Sequence, residues 1–254
     1  MSIQLIYRFR KYFLVLICLV ASIVAYGQTD ENYKEELKAV ESKLREGKFQ
    51  EGLQLLDEIS VKYPEVADIY YAKSLILVQM RDYDGAVESA TLAFEKHKNM
   101  FYANHLLELY KARKDLPNGI ALLLDLQKQF PTHEGLSREL LILYAENKQL
   151  DEAKKLHAKL ITSNHSDTLN LVMAEVYMNA EDLPAAKKLL AKMDGKSMIP
   201  DVYGYLGYIN GQEGKQKEAL AAIERGIKRT SDKGLYLDLA DIYKSMEKYE
   251  PMFN

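Results

Sequence analysis

The tripeptide Gly195-Lys196-Ser197 has the closing residues of a phosphate-binding loop, where backbone amides cradle phosphate and the lysine neutralises it. The earlier glycine of such a loop falls at position 190, which is Leu190, so the three residues read as a turn. Asp82-Tyr83-Asp84-Gly85 opens like a calcium loop, yet no acid ligand follows at the fifth place and no spaced bidentate glutamate closes it. The histidines are His97, His105, His133, His157 and His165. No two of them stand at i and i+4, the spacing that sets two imidazoles on one helical face for zinc. No serine sits in Gly-x-Ser-x-Gly, and no cysteine rivals it as a nucleophile. Gly204, Gly207, Gly211 and Gly214 hint at a membrane helix seam or a nucleotide loop. Gln212, Glu213 and Lys215 break any long apolar run there, so close packing of a helix is the better reading. The expectation is no enzyme, no cofactor and no metal.

The elements that would have to position such groups are periodic. A small residue returns at Gly52, Ala86, Gly119, Ala153, Ala186 and Ala219, at intervals of 34, 33, 34, 33 and 33. One turn upstream a large apolar side chain keeps the same beat at Phe49, Tyr83, Leu116, Leu150 and Leu183, with Gln216 as the exception. Between successive small residues the chain reads as two amphipathic helices, for example 67–80 and 84–96, joined by Arg81-Asp82-Tyr83. Leu140, Leu141, Leu143 and Tyr144 fall at helical spacing, and Asp115, Pro117, Asn147 and Pro184 supply breakers. Units of this length cannot bury their own apolar faces and must stack. The predicted fold is therefore all-α, a solenoid of about six helix-turn-helix repeats plus a terminal helix.

With the small residue numbered 20 in each unit, position 11 holds Tyr110, Tyr144, Tyr177 and Tyr243, and position 7 holds Leu106, Leu140, Met173, Leu206 and Leu239. Residues 200–233 carry Tyr203, Leu206, Gly207, Gly214, Ala219 and Gly226 at 4, 7, 8, 15, 20 and 27. This pattern resembles the tetratricopeptide repeat (TPR) family, from about Tyr33 to the end. Leu107 and Leu141 at position 8, Asn210 at position 11, and prolines at position 32 only in Pro64 and Pro131 depart from it. The register sets repeats at about 33–66, 67–99, 100–133, 134–166, 167–199 and 200–232, with a partial unit at 233–254. Small residues at 8 and 20 let helices A and B cross at the roughly 8–10 Å of normal contact. His157 falls at position 24, usually apolar, and reads as a core histidine satisfied by a backbone carbonyl. The terminal helix, with Leu235, Leu239, Ile242, Tyr243 and Met246 on one stripe, is read as a cap. Because Tyr249 and Met252 continue the beat, a longer protein is an equal reading.

The resemblance implies a ligand groove lined by helix A positions 2, 5, 9, 12 and 13. Carried over residue by residue, it comprises Tyr71, Leu75 and Val78, then Asn104 and Glu108, Arg138 and Ile142, Glu175 and Asn179, and Tyr208 and Gln212. Tyr71, Leu75 and Val78 lie on one side of a helix whose other side is needed for the core, and an exposed apolar patch there marks a binding site. The clamp by which some family members hold a terminal carboxylate is absent, since Leu37, Glu41, Tyr71 and Leu75 occupy its places. A carboxyl-terminal peptide is not the expected ligand.

Before the repeats, Arg8, Arg10 and Lys11 precede an apolar run of 14 residues, 12–25, which closes on Ala25-Tyr26-Gly27. That run falls short of the roughly 18–20 residues that cross a bilayer, and its end is small where signal peptidase reads. Residues 1–27 are thus a predicted signal peptide, cleaved between Gly27 and Gln28, with an uncleaved membrane anchor as the rival. Ile17 before Cys18 argues against a lipid anchor. Cys18 is the only cysteine, so no disulfide is available to the repeats. Removing those three bases from 34, against 37 acids, leaves a charge of −6, unsuited to general nucleic-acid binding. The expectation is an exported, periplasmic or secreted protein-protein adaptor that binds a protein or peptide in its groove, with no small-molecule substrate evident. The alternative is the periplasmic portion of a polysaccharide-export or outer-membrane assembly apparatus.

Overall fold

The computed structural model describes residues 31–163 and 166–249. The leader with its Gly27/Gln28 cleavage point, His165, Met252 and the side chains of Met246 and Tyr249 lie outside the described residues. Among the described residues there are thirteen α-helices and no strand. They run as A–B pairs: α1 (Glu31–Arg45) with α2 (Phe49–Lys62), α3 (Ala67–Gln79) with α4 (Tyr83–Lys96), and α5 (Met100–Ala112) with α6 (Leu116–Gln129). Next come α7 (Glu134–Glu146) with α8 (Leu150–Ser163), α9 (Asp167–Asn179) with α10 (Leu183–Leu190), α11 (Pro200–Gln212) with α12 (Gln216–Thr230), and finally α13 (Leu235–Tyr249). Packing gathers them into two compact units, the first ending at Gly119 and the second starting at Ile120, a division that falls within α6. No helix among the described residues is long and apolar enough to cross a membrane.

The residue that marks each repeat in the sequence is buried every time, at Gly52, Ala86, Gly119, Ala153, Ala186 and Ala219. At Gly52 an added Cβ would stand 3.2 Å from Leu44 Cδ2, so helix A of that repeat fills the space that a side chain would need. The place one turn upstream is the first residue of helix B in all six pairs, large and apolar in five and Gln216 in the sixth. It opens the helix rather than filling the core; Tyr83 is 44% exposed, which explains why Gln216 is tolerated at that place.

The six A–B turns share one backbone path. Each has a left-handed residue two places before helix B: Gly47, Arg81, Lys114, Lys148, Glu181 and Gly214, with φ between 57° and 76° in all six. In each, the next amide donates to a carbonyl five residues back, as Lys48 N does to Lys43 O (2.9 Å) and Gln149 N to Tyr144 O (2.7 Å). This is the Schellman arrangement that satisfies the orphan carbonyls of a helix end. Helix starts are capped by side chains: Asp82, Asn99, His133, Ser166 and Asp182 accept from the amide three residues on.

Two elements differ from the sequence reading. Helix α10 has only 8 residues, and after it the chain runs through turns that include Gly195 at a φ of 71°. On α13 only Leu235 of the expected stripe is buried; Leu239 and Ile242 are half-buried and Tyr243 is exposed. Tyr236 and Leu237 on the same helix also face solvent.

Of the four closely spaced glycines from Gly204 to Gly214, Gly214 belongs to the turn and three lie in α11. A Cβ on Gly207 would meet Ile223 Cδ1 at 2.6 Å, while one on Gly211 would meet nothing within 4 Å. Gly226 on α12 lies tightest, since its Cβ would come within 2.5 Å of Tyr203 Cβ and 2.8 Å of Leu235 Cδ1. Tyr203 is fully buried and cannot give way. Urea unfolding should therefore show Gly226→Ala destabilised by about 1–3 kcal/mol through overpacking. Gly211→Ala should be stabilised by up to about 1 kcal/mol through helix propensity. The same sign for both variants would refute this packing account.

Candidate functional site

In the first unit, the helix A face expected to bind a partner is built by α3 and α5. Tyr71 is not an exposed anchor there: it is only 5% exposed. Phe101 closes over it, with ring centroids 4.9 Å apart and planes inclined at 60°, and His105 meets it edge-on at 4.8 Å. Tyr102 packs at 5.8 Å. Edge-to-face geometry of this kind is favoured by the aromatic quadrupole. Phe101 itself remains 52% exposed and was missed by the residue-by-residue reading, although it stands at position 2 of its repeat, already one of the groove places. Leu75 and Val78 are half-buried, while Asn104 and Glu108 are exposed. Glu108 pairs with Lys111 at 3.0 Å along its own helix.

Beneath this face lies a buried polar layer. Asp68 on α3 accepts from Tyr33 of α1 (3.0 Å) and from Tyr102 of α5 (2.6 Å), so one carboxylate joins three successive A helices. Burial, and then the hydrogen bond to Asp68, push the Tyr102 hydroxyl far above its ordinary value. Burial also raises Tyr71. Ser74, fully buried, donates to Ala86 O at 2.8 Å and lies 2.8 Å from His105 Nε2. Its single proton goes to Ala86, so the imidazole carries its own proton on Nε2 and donates to Ser74 Oγ. A serine and a histidine at this distance have the separation of a nucleophile and its base. Here, however, the hydroxyl has no solvent access and its proton is engaged by backbone, so the pair is a structural link between helices. Burial lowers the His105 pKa from 6.5 to about 4.

In the second unit, Arg138 is exposed, with Glu139 at 3.7 Å, and Ile142 is half-buried. Glu175, half-buried on α9, accepts from the Tyr205 hydroxyl of α11 at 2.9 Å. Burial first, and then this bond, raise the Tyr205 pKa. Asn179 is exposed beside a cleft of about 330 Å³ bordered by Ala145, Lys148 and Val176. Tyr208 is 52% exposed and Gln212 is exposed. Tyr208 lines a larger cleft of about 520 Å³ between the end of α9, α11 and the start of α13.

The lookalike motifs resolve into structural parts. Asp82 caps α4 through Gly85 N at 3.0 Å. In the turn after α10, Ser197 O accepts from the Tyr203 hydroxyl at 2.9 Å, and Lys196 O accepts from Arg229. His157 is buried, as expected, but its partner is the Asn170 side-chain oxygen at 3.0 Å rather than a backbone carbonyl. Burial lowers its pKa too.

Residues 67–95, spanning α3 and most of α4, match the sequence model of the tetratricopeptide repeat family. No curated protein matches the chain. Among solved structures, the chain is similar to a tetratricopeptide repeat protein from Parabacteroides merdae. The TM-score is 0.55 at 16% identity, over 87% of this chain and 89% of that one. The C-terminal part of a TPR repeat-containing protein from Cytophaga hutchinsonii is similar with a TM-score of 0.57 at 12% identity, over 85% and 88%. Yeast Tom70 aligns with a TM-score of 0.50 at 15% identity, over 79% of this chain but 44% of its own. At these identities the likeness is one of fold.

Two measurements probe the buried layer. Asp68→Ala removes the acceptor shared by two tyrosine hydroxyls and should cost about 2–4 kcal/mol in urea unfolding, whereas a loss below about 1 kcal/mol would show that other contacts hold the layer. For His105, the folded value lies below the ordinary one. Its neutral form is therefore retained at full stability above pH 6.5, and stability drains away as pH falls from 6.5 to about 4. The full loss is about 3 kcal/mol. His105→Gln should flatten that slope, and an unchanged slope would assign the acid sensitivity elsewhere.

Proposed function

We propose that this tetratricopeptide repeat solenoid is a non-catalytic scaffold of the bacterial cell envelope, which holds a segment of a partner protein against the helix A face of its first unit. The observation that carries this reading is Phe101, a half-exposed aromatic ring on a base of buried Tyr71 and Tyr102. An anchor already fixed by packing loses little side-chain entropy on binding, which is the setting in which aromatic residues dominate interface energy. Leu75 and Val78 extend the apolar surface, while Asn104 and Glu108 supply a polar rim that selects among partners by charge. By the same repeat register, Arg138, Ile142, Glu175, Asn179, Tyr208 and Gln212 form the corresponding face of the second unit. Support for export comes from the basic residues followed by an apolar run in residues 1–27.

A photo-crosslinking residue in place of Phe101, with the chain expressed in its source cell, tests the assignment. One dominant protein adduct is expected, absent when the crosslinker replaces Lys155 on α8. Phe101→Ala should then weaken that protein's affinity about tenfold, the effect of a modest interface hot spot, while the array stays folded at the binding temperature with only a small loss of thermal stability from the lost ring contacts. Glycan adducts would favour the polysaccharide-export reading instead. The same protein captured from Lys155, or an unchanged affinity, would reject the face.

A further inference from the structure

The cleft of about 520 Å³ in the second unit has aromatic and apolar walls, from Tyr205 and Tyr208 on α11, Met178 at the end of α9 and Leu235 on α13. Its volume lies within the roughly 300–1,000 Å³ of ordinary ligand sites. Gly204 contributes no side chain to it, and a Cβ there would stand 3.2 Å from Asp238 Oδ2. Tyr205 is held by Glu175, whereas the Tyr208 ring is free to take a ligand on its face.

The chemistry of an occupant follows from charge. Asp201, Asp232 and Asp238 also line the cleft. Several cations at this end of the unit are engaged elsewhere: Arg225 with Asp194 at 2.6 Å, Arg229 with Lys196 O at 2.9 Å, and Lys187 and Lys215 both with Glu213, which leaves Lys233, beside Asp232 in the chain, as one positive charge against three lining carboxylates. The Asp238 carboxyl is pushed above its ordinary value, by burial first and then by the charges of Asp241, Asp201 and Asp232, a repulsion that a bound cation would relieve. Among the described residues no group of acids is gathered closely enough to hold a metal ion. An extended cation with several donors suits spaced carboxylates better than a point charge does. The guanidinium is such a group, and its plane stacks on tyrosine as well.

We propose that this cleft takes an arginine side chain from a protein segment, its guanidinium stacked on Tyr208 and hydrogen-bonded among Asp201, Asp232 and Asp238. The inference rests on the partner-binding reading above and gives that reading a second, sequence-selective contact.

The test uses the protein with isotope-labelled methionine methyls, titrated with N-acetylarginine amide and followed at Met178 by NMR. A saturable shift at Met178 is expected, weakened by added salt. The uncharged isostere N-acetylcitrulline amide should give no saturable shift. Asp238→Asn should weaken arginine binding about fivefold, as loss of one charge-assisted hydrogen bond does. Tyr208→Ala, at an exposed position that folding does not need, should weaken it about threefold through the lost cation–π contact. No saturable shift with arginine, or equal binding of citrulline, overturns the proposal. A partner captured at Phe101 whose affinity ignores both variants also overturns it while the scaffold reading stands. Arginine binding here without any protein captured at Phe101 supports the cleft and sinks the first-unit face.

Discussion

The whole array depends on how closely helix A and helix B of one repeat approach each other. A methyl group or a hydrogen at the crossing lets the two axes come to packing distance, and any larger side chain would pry them apart. Ala86, Ala153, Ala186 and Ala219 sit there with no exposed surface. Fixing the crossing fixes the gap that the A–B turn must bridge, and all six turns bridge it with one left-handed residue. At Arg81, Lys114, Lys148 and Glu181 that conformation carries strain on the order of 1 kcal/mol, since a Cβ is crowded there. The carbonyls recaptured at the end of helix A offset the strain. Packing constraint and turn geometry are thus two expressions of one contact.

Much of this was legible in the sequence because it is local and repeated. The beat of small residues located each crossing, and among the named breakers Asp115 and Asn147 fall between helices while Pro117 and Pro184 stand in first turns. Exposure was less legible. Helical register says which side of α3 Tyr71 occupies, but not that Phe101, thirty residues on, folds down over it. Any groove position can be roofed by its successor, and only side-chain size at the neighbouring place 2 would have signalled it. The partner of His157 was misjudged for a related reason, since the Asn170 amide arrives from the following helix and competes with the backbone. The same holds for Tyr205, whose hydroxyl reaches Glu175 across 30 residues of chain. Long-range side-chain pairs leave no mark in spacing, whereas helix faces do.

The clefts show how a degenerate repeat acquires individuality. Gly204 and Gly207 both lie on α11, yet one opens a space toward Asp238 and the other is pressed against Ile223. A single residue type serves access at one place and close packing at the next. Close helix packing specifies the second use, and the proposed cleft draws on the first.

In a linear array each module ordinarily senses only its immediate neighbours, and terminal modules fray first. The carboxylate of Asp68 makes both neighbour contacts through one group, because it accepts from the repeats on both sides at once. Detaching the first repeat strips one donor from an acceptor that the third repeat also uses, so the two ends of the trio are energetically linked across the middle one. The amino-terminal repeats should accordingly exchange their amide hydrogens as one cooperative block, making the first repeat a firmly anchored end rather than a fraying one.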